Sequence, residues 1–180
     1  MVGLNVVFWI LVLLFALIGM TRGWAKELLV TFAVILGIFI IAVLVQFMPY
    51  FQIPQGQTMN STQFWLRVGI LLALVFFGYQ SPHIPRLAGS GRFARDYLQD
   101  SLLGFVLGAV NGYLIWGTIW FFLHSANYPF PQVYTLPPVG SPTEQAIAQL
   151  IRVLPPNWLE APFIYFAVAI AFAFVLVVFI

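Results

Sequence analysis

Charge is scarce in this chain and cysteine is absent from it. Only 7% of the 180 residues are Asp, Glu, Lys or Arg, against roughly 25% in an average soluble domain. So little charge cannot clothe a water-facing surface, which excludes an ordinary soluble domain. The formal net charge of +2 is weak and scattered, with no basic stripe for phosphates, so no nucleic-acid partner is expected. The lack of cysteine excludes disulfides, thiolate metal sites, iron–sulfur clusters and covalent haem attachment. No Ser–His–Asp arrangement, HExxH, phosphate loop or paired intramembrane carboxylates stand in the chain. We therefore assign no catalytic residue, no metal and no cofactor, and expect a protein that is not an enzyme. Long internal repeats and low-complexity tracts are missing too.

What is present is apolar bulk: 62% hydrophobic residues, with 19 Phe, 6 Trp and 7 Tyr. Apolar runs fall at residues 2–20, 28–48, 64–79, 102–124 and 163–180. At 1.5 Å per helical residue, about 20 residues cross a hydrocarbon core of ~30 Å. The pattern predicts an all-α polytopic integral membrane protein, one transmembrane domain over 1–180. It would have about five transmembrane helices plus short amphipathic interfacial helices, with the lipid bilayer as its surroundings. The first run has no basic residue before it and no A-x-A-like site after it, so it reads as an uncleaved span. The chain ends on Ile180 without a polar tail; either the sequence continues or that end is covered by a partner.

The connections carry the polar residues. Residues 21–27, TRGWAKE, form a tight turn between spans one and two. Residues 49–63 are an uncharged loop in which 60–62 match a glycosylation sequon, a signal of little weight. Residues 81–100 hold His83, Arg86, Arg92, Arg95, Asp96 and Asp100. There Ser90 is placed to cap a short interfacial helix with an Arg92–Asp96 pair. The loop 125–162 holds eight of the twelve prolines. Within it, Ser141, Pro142 and Glu144 form a capping signature. Ile147, Leu150, Ile151 and Leu154 then recur at helical spacing. An amphipathic helix on the membrane surface is expected, stopped by Pro155–Pro156 and anchored by Trp158. Arg22, Lys26, Arg86, Arg92 and Arg95 fall on the first and third connections, and only Arg152 on the second and fourth. The positive-inside rule then puts the N-terminus outside, the C-terminus in the cytoplasm, and 125–162 on the extracytoplasmic side.

One stretch, SLLGFVLGAVNGYLIWG at 101–117, repeats glycine at spacing four: Gly104, Gly108 and Gly112. Asn111 lies roughly 20° from Gly104 on the helical wheel, so a polar amide and a bare backbone face coincide. That face reads as a helix-packing seam, against a helix of the same chain or of a partner. Arg67, one turn into the third span, either snorkels to the interface beside Trp65 or contacts an anion or lipid headgroup. His124 is either an interfacial, hydrogen-bonded histidine or an axial ligand to a pigment or haem. His83 and His124 fall on opposite sides of the membrane and cannot share a metal. No ionisable group stands at mid-membrane, which argues against a transporter or channel acting alone.

Two segments, ALIGMTRGWAKELLVTFAVILGIFI and DSLLGFVLGAVNGYLI, resemble the colicin V production protein (CvpA) family of bacterial inner-membrane proteins. The resemblance spans about the first 125 residues. It places the family's turn on Arg22, Gly23, Trp24 and Glu27, with Lys26 between them, and its later glycines on Gly104, Gly108 and Gly112. It implies a small polytopic protein linked to colicin export and envelope maintenance, without an established reaction, working through contacts with other membrane-protein subunits. Asn111 departs from the basic residue often found there, and a fifth span departs from the usual four. The other reading is an accessory or structural subunit of a larger respiratory or photosynthetic complex, its aromatic faces contacting pigment or quinone.

Overall fold

The computed structural model describes residues 3–80, 94–130, 137–138 and 140–179. Seven α-helices make up these residues: α1 (Leu4–Arg22), α2 (Trp24–Phe47), α3 (Ser61–Tyr79), α4 (Ala94–Ser125), α5 (Pro142–Arg152), α6 (Pro155–Trp158) and α7 (Phe163–Phe179). A 3₁₀ turn, Pro49–Phe51, follows α2, and no strand occurs among the described residues. Four helices are long and apolar enough to cross a membrane: α1, α2, α3 and the Tyr97–Ser125 portion of α4. The fifth apolar run forms α7, which at 17 residues is shorter than the others. It packs on α2, where the Tyr165 hydroxyl donates to Gln46 Oε1 at 3.1 Å.

The first connection is much shorter than its seven-residue reading. Gly23 alone separates α1 from α2, at φ +87°, a backbone conformation that L side chains resist. Its N–H closes the last turn of α1 on the Gly19 carbonyl. Glu27 is consequently not a connection residue but part of the first turn of α2, and it is fully buried.

The third span also begins earlier than the apolar run. Asn60 Oδ1 accepts from Gln63 N at 2.8 Å, and Gln63 Oε1 accepts from Asn60 N at 3.3 Å. This reciprocal capping box starts α3 at Ser61, so the Asn60 side chain serves the helix terminus. Before the fourth span, helix is continuous from Ala94; the expected separate interfacial helix is the start of α4 as far as it is described. His83, Arg86, Ser90 and Arg92, and the side chains of Arg95 and Asp96, lie outside the described residues.

The main core joins α2, α3 and α4. Val30, Val34, Ile38 and Ile41 of α2 recur every three or four residues and meet Phe64, Val68, Leu71 and Val75 of α3 and Leu114, Ile115 and Phe122 of α4. Helix α1 packs chiefly along α4 and turns Trp9, Ile10, Leu13 and Leu17 outward. Such outward apolar faces suit contact with lipid.

A second cluster seats α5. Phe8 of α1, Trp120 of α4, Ile147 of α5 and Leu154 bury one another. Ser141 Oγ accepts from Glu144 N at 3.2 Å, with Pro142 at the first helical position. Glu144 reaches back to Gly140 N, one residue before the cap. Pro155 and Pro156 end α5 and also open α6, as proline suits a first helical turn. A Cβ on Gly117 would stand 2.7 Å from Pro155 Cδ, so this segment rests directly on α4.

Candidate functional site

One group of polar residues from the transmembrane helices gathers where α1 turns into α2. Gly23 would bring a Cβ within 2.9 Å of both Asp100 carboxylate oxygens. One of them, Oδ1, accepts from Trp24 N at 3.2 Å. The start of α2 has N–H groups without helical partners and a positive dipole end; the Asp100 carboxylate from α4 accepts from one of these groups and complements the dipole. One residue on, Ser101 Oγ donates to the Met20 carbonyl at 2.8 Å. Helix α4 thus holds both arms of the α1–α2 hairpin.

Glu27 is the centre of this arrangement. Its Oε1 lies 2.8 Å from Arg22 Nε, and its Oε2 accepts from Asn111 Nδ2 at 2.8 Å. The same Asn111 amide reaches the Glu27 backbone carbonyl at 2.9 Å. Asn111 Oδ1 in turn accepts from the Thr31 hydroxyl at 2.7 Å. Glu27 and Asn111 are both fully buried. The Arg22 guanidinium lies 4.4 Å from the centre of the Tyr79 ring, within the range of a cation–π contact. One carboxylate therefore ties α1, α2 and α4 together, with α3 closing the far side of Arg22. Removing a single partner from such a buried charged pair costs about 3–5 kcal/mol, because the other charge is left uncompensated.

The glycine face of α4 lies against α1. Cβ atoms on Gly104 and Gly108 would collide with the Gly19 and Phe15 backbone carbonyls, and one on Gly112 would stand 2.8 Å from Phe15 Cβ. Backbone meets backbone along this contact, which only small residues allow. The close approach of α1 leaves Asn111, on the edge of the face, free to reach α2.

The sequence-derived residues thus divide. Arg22, Gly23, Trp24, Glu27, Gly104, Gly108, Asn111 and Gly112 come together in one assembly. Lys26 is half-buried and forms no ion pair among the described residues. Arg67 and His124 lie toward the opposite end. Arg67 does not snorkel beside Trp65: it is 6% exposed, donates to the Phe51 carbonyl through Nη2, and sits over the Phe122 ring. The Pro49–Phe51 turn folds over it and supplies that acceptor. His124 is exposed, its ring 5.6 Å from that of Tyr128.

Gly19, Thr31, Tyr79, Asp100 and Ser101 belong to the assembly without having been singled out. Asp100 and Ser101 open the motif DSLLG, and Gly19 falls one helical turn before Gly23; that spacing was the available signal. Thr31 and Tyr79 carried none beyond their polarity within apolar runs. Among the described residues, no group of three His, Cys, Asp or Glu side chains is placed to hold a metal ion.

No curated protein and no solved structure gave a match to the chain. The family model for colicin V production protein does match, over residues 4–143. It runs from the first residue of α1, through the whole Glu27–Asn111 assembly, to the capped start of α5, while most of α5 and all of α6 and α7 lie beyond it. With more than three quarters of its length matched, including every residue that fastens the hairpin to α4, the chain belongs to the colicin V production protein family.

Proposed function

We propose that this membrane protein works without catalysis, as a scaffold in the bacterial inner membrane that acts through helix–helix and protein–protein contacts. The observation that carries this reading is the use of Glu27. The most buried carboxylate faces only groups of its own chain: Oε2 accepts from Asn111 Nδ2, and Oε1 stands in ion-pair contact with Arg22 Nε, buried without a hydrogen bond. A general base or a proton carrier needs an oxygen within reach of its substrate or of water. Here that oxygen is spent on holding helices, and the family's turn and glycine motifs converge on the same task. Extraction in a mild detergent, followed by native gels and mass spectrometry, tests the reading. Stoichiometric protein partners are expected; migration at the mass of the chain alone would sink it.

The proposed orientation has the Gly23 turn in the cytoplasm and the Pro49–Asn60 loop outside. The natural absence of cysteine makes this simple to test with single-cysteine variants. Gln55→Cys should react with a membrane-impermeant maleimide in intact cells. Ala25→Cys, exposed at the turn, should react only after permeabilisation, and the reverse pattern would invert the topology.

A further inference from the structure

The helices of this bundle differ in how much bilayer they can cross. On α2, Lys26 and Gln46 bracket the apolar stretch and stand about 30 Å apart at 1.5 Å per residue. On α4, Asp100 and His124 bracket about 36 Å. Both suit a hydrocarbon core of ~30 Å. On α1 the bracketing polar residues are Asn5 and Thr21, only about 24 Å apart. On α3 they are Thr62 and Gln80, both exposed and about 27 Å apart, while Gln63 and Arg67 between them are buried.

The two short helices also carry long outward apolar faces. The exposed apolar row of α1 runs from Val6 to Met20, about 21 Å, and that of α3 from Trp65 to Phe77, about 18 Å. Tilting a helix lowers its height and cannot make up the difference. Ser61 and Thr62 open α3, where the first N–H groups have no helical partner, and such groups stay out of lipid. Trp9 and Trp65 mark the same level independently. They are 54% and 58% exposed, each one to two turns inside its helix, and tryptophan settles at the headgroups. The opposite ends are level with one another, since the Arg22 guanidinium lies over the Tyr79 ring and Trp24 N meets Asp100. The shortfall therefore falls on the leaflet away from the Gly23 turn. On that side α1 and α3 separate, and the partly open recess of about 420 Å³ between them adds only apolar wall, Leu11, Phe64 and Ile119 among it.

We propose that the α1–α3 face thins the bilayer it touches. The leaflet opposite the Gly23 turn is drawn inward there, the hydrocarbon is about 20 Å thick, and lipids with short acyl chains are held in preference to long ones. Compressing lipid tails costs less than immersing unpaired N–H groups in them. Helices α2 and α4 do not relieve the mismatch, because α2 packs against α3, α4 and α7, and α4 against α1 and α2. Their length is spent inside the bundle, and the lipid meets the short pair.

Competition between brominated and unbrominated phosphatidylcholines, read as quenching of tryptophan fluorescence in the reconstituted full chain, tests this. Acyl chains from about 14 to about 22 carbons cover the range of thicknesses. Relative affinity should be highest for the shortest chains and fall about five-fold toward the longest. A flat profile, or a maximum at the length of about 18 carbons that suits an ordinary bilayer, overturns the proposal, and neither result needs a variant to fold. Ser61→Leu/Thr62→Leu leaves the Asn60–Gln63 capping box in place and adds about 6 Å of apolar face to α3. It should move the maximum to longer chains, and an unmoved maximum overturns the proposal. Trp9→Phe/Trp65→Phe should lower the quenched fraction. An unchanged fraction would mean that protein, such as a second copy, covers this face, and that too overturns the proposal.

Discussion

The two ends of this bundle are fastened by different forces. At the Gly23 end, α1, α2 and α4 are tied by a buried carboxylate, an amide, a guanidinium and glycine-lined backbone contact. At the opposite end, α1 and α3 stand apart, and aromatic rings and the α5–α6 segment crowd the space above α4. The contrast follows from the solvent. Lipid is as apolar as leucine, so apolar burial alone draws membrane helices together weakly, and polar links and close backbone packing decide where they meet. The end where both join α1, α2 and α4 is closed; at the other end Arg67 bonds to the 3₁₀ turn after α2 and Gly117 packs on Pro155, and neither joins α1 to α3. The family match covers the closed end entirely.

Substitutions at the two ends should therefore differ in size. Gly108→Leu should have the largest effect. Its side chain would drive into the Phe15 backbone, which cannot rotate away, and the loss should exceed about 4 kcal/mol, the exceptional range for one substitution. Failure of the protein to accumulate in the membrane fraction is the expected result. Normal accumulation would mean that α1 does not rest on this face. Glu27→Ala comes next, at about 3–5 kcal/mol measured by detergent-induced unfolding, since Arg22 loses its counter-charge. The double variant Arg22→Met/Glu27→Leu should recover part of that loss; additive losses would show that the pair is not coupled.

At the open end the effects shrink. Gly117→Ala introduces a Cβ 2.7 Å from Pro155, and such overpacking costs about 1–3 kcal/mol. Because the strain falls on the α5–α6 segment, proteolysis after α5 should rise while the α1–α4 bundle resists. Cleavage spread equally over the chain would remove the distinction between the two ends. Ser141→Ala should be the mildest, about 1 kcal/mol for a lost helix cap. It should appear as fraying of the first turn of α5 by hydrogen exchange, without change at Glu27.

What the chain disclosed in advance, and what it withheld, follows the same division. The spans were legible because long apolar runs have few other physical outcomes. The capping of α5 was legible because Ser141, Pro142 and Glu144 act within one turn. Asn111 and the three glycines could be put on one face from spacing alone, but spacing does not say which helix meets that face. Glu27 was read as a turn residue because a charge near an apolar run looks like its boundary; only the positive φ of Gly23 lets α2 begin at Trp24 and carry Glu27 inside. The burial of Arg67 is hidden for a related reason: its acceptor is a backbone carbonyl sixteen residues earlier, which no side-chain pattern reports. Asn60 was noticed as a sequon rather than a cap, although Gln63 three residues on was the sign of the capping box.

The distance along the chain between Glu27 and its partners carries a consequence for synthesis. Arg22 is five residues away and can neutralise the carboxylate as soon as the hairpin forms. Asn111 lies 84 residues further on, and at about 5–20 residues per second it emerges several seconds later. During that interval the hairpin holds an ion pair with one oxygen unclaimed and a turn whose Trp24 N–H still awaits Asp100. Of the side chains around the Glu27 carboxylate, Arg22 is thus the one made together with the hairpin, and Asn111 comes with the fourth helix.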